Sequence, residues 1–77
     1  MLSTIPVKLK KVKKENIDKE ILRVGMLAEL DAVNLYEQMA AMATNKSIQK
    51  VLLEIAKEEK THVGEFQALL WHNSKSE

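Results

Sequence analysis

Glu59 and His62, two residues that can bind a metal ion, lie three positions apart in the second half of the chain. They fill the gap between Ile55 and Val63 in a stripe of apolar residues that recurs with the period of a helix. Residues three apart share one face of a helix, so both side chains can contact the same ion. A carboxylate without a partner is unfavourable in an apolar environment, and a bound cation would stabilise it.

Glu29 interrupts an apolar stripe in the first half of the chain in the same way, between Met26 and Val33. An antiparallel hairpin with its turn near residues 45 and 46 would bring residue 29 level with residues 60 to 63. The spacing therefore predicts a metal site formed by Glu29, Glu59 and His62, with structural polar residues as the alternative interpretation. Carboxylate and imidazole ligands suit iron, and also manganese or zinc.

Two long helices are needed to hold these three residues together. The first is predicted to begin near Asn16, as its N-cap, and to end near Ala43. The second is predicted from about Ser47 to Leu70 or slightly beyond. The short connection between them, residues 44–47, is typical of two antiparallel helices joined as a hairpin. We therefore expect an all-α fold.

The hairpin is expected to occupy residues 16–71, with Asn45 or Ser47 as the cap of the second helix. Residues 1–15 read as a basic N-terminal arm, which could be a docking arm, a short edge strand or a solvated tail. Residues 72–77 read as a polar tail. The lysines of the arm are Lys8, Lys10, Lys11, Lys13 and Lys14.

The first helix carries two apolar stripes, although a helix that packs against one partner needs only one. The first stripe comprises Ile21, Val24, Ala28, Ala32, Leu35, Met39 and Met42, and the second stripe comprises Leu22, Met26, Val33, Tyr36 and Ala40. The predicted core stripe of the second helix comprises Ile48, Val51, Leu52, Ile55, Val63, Phe66, Leu69 and Leu70. A lone hairpin cannot cover both stripes of the first helix, so the pattern predicts an oligomer. Gly25 and Gly64, one in each helix, are expected at close subunit contacts.

The composition excludes several classes of protein. The chain has 77 residues and no cysteine, so disulfides and thiolate metal sites are excluded, and so small a domain needs a metal or a partner. A net charge of +1 predicts no general affinity for nucleic acid or membranes. No apolar segment is long enough to span a bilayer or resembles a signal peptide, so we expect a cytoplasmic protein.

The number of ligands predicts a specific oligomer. Ferritin-like di-iron bundles take one Glu from each of two helices and a Glu-x-x-His pair from each of the other two. One copy of this chain supplies two carboxylates and one imidazole, whereas two copies supply four carboxylates and two imidazoles. We therefore expect a homodimer that forms a four-helix bundle and oxidises ferrous iron at a di-iron centre.

Residues 29–38 and 58–62 resemble the motifs of the encapsulated ferritins, and the likeness spans about residues 16 to 70. The resemblance implies a helical hairpin whose dimers form a ferroxidase centre at their interface and assemble into an open decameric ring. It also implies an encapsulin shell as partner, which stores the ferric product. The protein would then lie in the cytoplasm, inside an encapsulin nanocompartment.

The iron ligands of that family fall on the same three residues that the spacing selects. The tyrosine of the family's first-helix motif falls on Tyr36, which would either support the site or pack in the core. A secondary acidic metal site of the family uses the positions of Ala28 and Asp31, of which only Asp31 is acidic here. Many members end in an apolar docking peptide that residues 71–77 lack, so the resemblance implies a truncated chain or a fusion to the shell protein.

Two other functions remain open from the residues alone. A rubrerythrin-like peroxide reductase would use the same di-metal core, although such proteins usually add a cysteine-ligated iron and this sequence contains no cysteine. A non-enzymatic helical oligomerisation module would use its buried polar residues to set the register of the helices.

Overall fold

Two long helices joined as an antiparallel hairpin make up most of the structure. The computed structural model describes residues 4–5 and 8–75. Two single 3-10 turns, Leu9–Lys11 and Lys14–Asn16, precede helix α1, Ile17–Met42, and helix α2, Lys46–Lys75. The predicted all-α hairpin is confirmed. Residues 8–16 form turns rather than an extended arm or strand, because local backbone hydrogen bonds of 2.8 to 3.1 Å close them.

The turn between the helices is held by the side chain of Asn45. Its Oδ1 accepts a hydrogen bond of 3.0 Å from the backbone N–H of Ile48, which makes Asn45, and not Ser47, the N-cap of α2. The side chain of Gln49 closes the other side of the turn by donating to the carbonyl oxygen of Ala43 at 2.7 Å. Asn16 does precede α1 as predicted, but its side chain makes no capping hydrogen bond.

Helix α2 continues to Lys75, into the segment expected to form a polar tail. Residues 72–75 contain neither glycine nor proline, so nothing in them breaks the helix. The side chain of Asn73 also donates to the carbonyl oxygen of Leu69 at 3.1 Å. Within the described ranges, neither helix has a stretch apolar enough and long enough to cross a membrane.

The hairpin contact uses the second stripe of α1. Three small or medium apolar residues are buried there, Val33 and Ala40 from α1 and Ala56 from α2. Partly buried residues surround them, namely Leu22, Met26, Tyr36, Leu52, Ile55, Val63, Phe66 and Leu70. The alanines at the centre let the two helices approach closely.

The first stripe of α1 remains largely uncovered in a single chain. Its larger members Ile21, Leu35, Met39 and Met42 are exposed. Three residues of the predicted core stripe of α2 are exposed as well, namely Ile48, Val51 and Leu69. The prediction was wrong for those three of α2, because the hairpin measures 48 × 29 × 13 Å and is one helix thick. Such a layer buries only the facing sides of its helices. Extended apolar exposure is typical of a surface that contacts another protein.

Gly25 belongs to the contact between the two helices of one chain, and not to a subunit contact as predicted. A Cβ atom at this position would lie 2.7 Å from Cε1 and 2.9 Å from Cζ of Phe66, closer than side chains normally approach. The ring of Phe66 therefore packs directly on the backbone of α1. A Cβ atom added to Gly64 would have no other atom within 4 Å. The expected role of Gly64 at a subunit contact therefore stays a prediction.

These two glycines predict opposite effects of the same substitution. Gly25→Ala forces the ring of Phe66 to move, and we expect the free energy of unfolding to fall by about 1–2 kcal/mol. Gly64→Ala adds a helix-favouring residue in open space and should raise it by about 0.5–1 kcal/mol. Urea unfolding followed by circular dichroism, at one protein concentration, measures both. Equal stability of the two variants would contradict the close packing at Gly25.

Candidate metal centre

The three residues selected from the sequence meet across the hairpin. Glu29 on α1 and Glu59 and His62 on α2 bring their ligand atoms to within 4.8 Å of one another. Nδ1 of His62 lies 3.7 Å from Oε2 of Glu29 and 3.5 Å from Oε2 of Glu59. The side chains of Glu29 and Glu59 are 23% and 22% exposed, whereas that of His62 is 49% exposed. The cluster is thus open on the side of His62.

One carboxylate oxygen of this cluster lacks a partner. Oε2 of Glu29 is buried and accepts no hydrogen bond, since its separation from His62 is too long for one. Buried polar atoms are nearly always hydrogen-bonded, and an exception is explained by a bound water, a ligand or an ion. Two carboxylates and an imidazole nitrogen are a donor set that suits iron, manganese or zinc. The residues present therefore fit a divalent cation.

Two contacts hold the helices in register at the level of the cluster. On one side of it along the hairpin, Gly25 and Phe66 pack together one turn away from Glu29 and His62, respectively. On the other side, Nζ of Lys60 pairs with Oε2 of Glu37 at 3.0 Å. The close packing of Phe66 on Gly25 stabilises this register. The ion pair is exposed and contributes little energy, although it is compatible with the same register.

Part of the exposed apolar surface lies on the side of the hairpin onto which the cluster opens. Residues two positions apart on a helix point about 200° apart. The hairpin is a flat layer of two helices, and its two faces are here termed its flanks. Lys60 and His62 therefore lie on opposite flanks of α2, and Glu37 and Leu35 lie on opposite flanks of α1. Because Lys60 and Glu37 pair on one flank, His62 and Leu35 share the other. Leu69, two turns beyond His62, also lies there, so exposed apolar side chains share the flank onto which the site opens.

The remaining candidates lie outside the cluster. Tyr36 is partly buried on the side of α1 that faces α2, about 10 Å along the helix from Glu29, so its placement is that of a core tyrosine. Asp31 and Ala28 are exposed. No second group of three ligand-type residues lies this close together within the described ranges, and a secondary metal-binding role of Asp31 stays a prediction.

One exposed glutamate, which the search for ligands in the sequence did not select, lies beside the cluster. A cavity of about 380 Å³, here termed the site cavity, is lined by Glu29, His62, Glu65, Phe66 and Leu69. Glu65 follows His62 by three residues, as His62 follows Glu59. Each such step moves about 60° around a helix, so Glu65 lies at the edge of the face that carries the ligands. The repeated spacing of three residues, from Glu59 to His62 to Glu65, was the sequence signal that could have indicated the place of Glu65 beside the cluster.

Comparison with known proteins relates the chain to ferritin-like proteins. A family model described as rubrerythrin matches residues 5–74. A ferritin-like-encapsulin shell fusion protein from Pyrococcus furiosus is 61% identical over 51 residues, which are 66% of this chain and 15% of that protein. The crystal structure of the encapsulated ferritin domain from Pyrococcus furiosus matches with a TM-score of 0.80 and 45% identity, over 99% of this chain and 80% of that chain.

The family match includes both helices and all three residues of the cluster. The structural match adds that the whole hairpin, and not only a motif, has the ferritin-like arrangement. The chain spans about 15% of the length of the fusion protein that it matches. This chain belongs to the rubrerythrin family, and it is similar in sequence and in fold to the encapsulated ferritins.

Proposed function

We propose that two copies of this chain form a di-iron carboxylate centre that oxidises ferrous to ferric iron with dioxygen. The observation that carries the proposal is the cluster of Glu29, Glu59 and His62. It gathers three ligand atoms and includes a buried carboxylate oxygen, Oε2 of Glu29, that accepts no hydrogen bond. Membership of the rubrerythrin family and the ferritin-like fold support an iron-related role.

A second copy is needed because one chain offers too few ligands. Two carboxylates and one imidazole leave most coordination positions of two ions unfilled, whereas a two-fold related pair offers four carboxylates and two imidazoles. The flank onto which the site opens supports this pairing, since it carries the exposed Leu35 and Leu69 as well as the half-exposed His62. Pairing through this flank would bring the two clusters together and bury the apolar residues in one step.

Each residue has a distinct role in the proposed centre. The carboxylates of Glu29 and Glu59 neutralise cationic charge, and their partial burial strengthens that interaction relative to water. His62 adds a nitrogen donor from the adjacent turn of α2. Ferrous iron is the substrate: one electron from each of two ferrous ions passes to dioxygen, which takes up two protons and leaves as hydrogen peroxide.

We further propose that the centre serves iron storage inside an encapsulin nanocompartment in the cytoplasm. A relative of this chain is a fusion with an encapsulin shell protein, which supports association with such a shell, by fusion or otherwise. The decameric ring of dimers implied by the resemblance belongs to the same proposal.

Iron titration tests the centre directly. Under anaerobic conditions we expect one ferrous ion per chain, that is two per dimer, measured by iron content and by the mass of the assembly. Admitting oxygen should then consume dioxygen in proportion to bound iron. Zinc, which the same ligands can hold but which has no redox chemistry, should block oxygen uptake when it is added first. Iron oxidation unaffected by zinc would contradict a shared site.

The match to rubrerythrin gives a second candidate, peroxide reduction at the same cluster. The 77 residues contain no cysteine, so they do not by themselves carry a thiolate-bound iron for electron delivery. Turnover with peroxide much faster than with dioxygen, in the same assay, would favour this candidate. A well-defined oligomer without any metal affinity would instead favour an oligomerisation module.

A further inference from the structure

Glu65 places an exposed carboxylate on the wall of the site cavity, next to Glu29 and His62. Its position one turn after His62 puts the two residues about 4.5 Å apart along the axis of α2. The other lining residues that are not ligands, Phe66 and Leu69, are apolar. Glu65 is therefore the polar group that a solute entering this cavity meets in addition to the cluster itself.

The charge of Glu65 is not compensated within the described ranges. Glu37 and Glu20 have cationic partners, Lys60 and Arg23, whereas Glu65 pairs with no basic group of the described residues. No lysine or arginine lines the site cavity. The cavity wall thus adds an uncompensated negative charge to the two carboxylates of the cluster.

We propose that Glu65 captures divalent cations for the metal centre. An incoming cation contacts its carboxylate at the edge of the site cavity and then moves one helical turn inward to Glu29, Glu59 and His62. This inference rests on the proposed function. Glu65 is exposed in the single chain, so its attraction acts through solvent on a cation that arrives before a second copy covers this flank. It raises the rate of association more than the final affinity. Such an effect must weaken as salt shortens the range of the charge.

Stopped-flow binding of Co²⁺ tests this role, since the visible absorption of bound cobalt reports both occupancy and the ligand set. The unsubstituted chain is compared with Glu65→Gln, which removes the charge and keeps the shape of the side chain. Glu54→Gln is the matched control, because Glu54 is also an exposed, unpaired glutamate of α2 within the described ranges but does not line the site cavity. Glu65→Asp tests whether any carboxylate at this position is enough to maintain the rate of cobalt association.

At about 10 mM ionic strength we expect Glu65→Gln to slow cobalt association about threefold to tenfold, and Glu54→Gln by less than about twofold. The difference should vanish near 1 M salt, where the Debye length is about 3 Å. Glu65→Asp should recover most of the rate. The final cobalt spectrum of Glu65→Gln should equal that of the unsubstituted chain, because the ligands are unchanged.

Three results would overturn the inference. Equal association rates for Glu65→Gln and Glu54→Gln at low salt would show that the position of the charge is irrelevant. An altered cobalt spectrum for Glu65→Gln would make Glu65 a ligand and not a capture residue. Failure of the unsubstituted chain to bind cobalt would overturn the proposed centre itself, which distinguishes the two failures.

Discussion

Replacing both Glu59 and His62 with alanine is expected to lower the rate of ferrous iron oxidation by about 100-fold or more. Loss of a residue that merely supports a ligand already costs about 10–100-fold in metal affinity or activity. The double replacement removes two of the three ligand atoms that each chain contributes, and Glu29 alone cannot hold an ion in place. Oxygen uptake after addition of ferrous iron measures the rate, and circular dichroism measures the helical content.

The matched control is the double variant Glu54→Ala with His72→Ala, which removes one carboxylate and one imidazole from exposed positions of the same helix. Alanine favours helix, so both double variants should keep the helical signal of the unsubstituted chain. We expect the control to oxidise iron at the normal rate. Retention of that rate by the Glu59 and His62 variant would show that oxidation takes place elsewhere and that the proposed centre is wrong.

Leu35→Glu is expected to abolish oxidation without touching a ligand. Leu35 is exposed in the single chain and lies on the flank onto which His62 opens. A carboxylate introduced there would be buried without a partner when two copies pair, and it would occur twice in a symmetric dimer. We expect the dimer dissociation constant to rise at least about 100-fold. Analytical ultracentrifugation should then detect the mass of a single chain, 8.8 kDa.

Leu30→Glu is the matched control for this substitution. Leu30 is equally an exposed leucine of α1, but it precedes Glu37 by two turns and therefore lies on the flank of the Glu37–Lys60 ion pair. Pairing through the flank of His62 should survive this change, and so should iron oxidation. Loss of activity in both leucine variants, or in neither, would contradict pairing through the flank of His62.

Periodicity explains why so much of the ligand set could be predicted. Glu59 and His62 occupy positions of an apolar stripe, and a turn near Asn45 places Glu29 at their level. Local spacing therefore predicts that the three residues can meet, provided that the second stripe of α1 faces α2. The choice between Asn45 and Ser47 as the cap was open, because both residue types can accept a backbone hydrogen bond. The contact of Asn45 with the N–H of Ile48 settles it.

The amino-acid sequence by itself determined two helices, their connection and three ligand-type residues within apolar stripes at matching levels, because a period of 3.6 residues decides which side chains share a face. Only the tertiary structure decided which stripe of α1 meets α2, that Gly25 packs on Phe66, and that Glu65 lines the site cavity. Those features depend on how far each helix is rotated about its own axis against the other. Packing between residues distant in sequence sets that rotation, and local periodicity does not contain it.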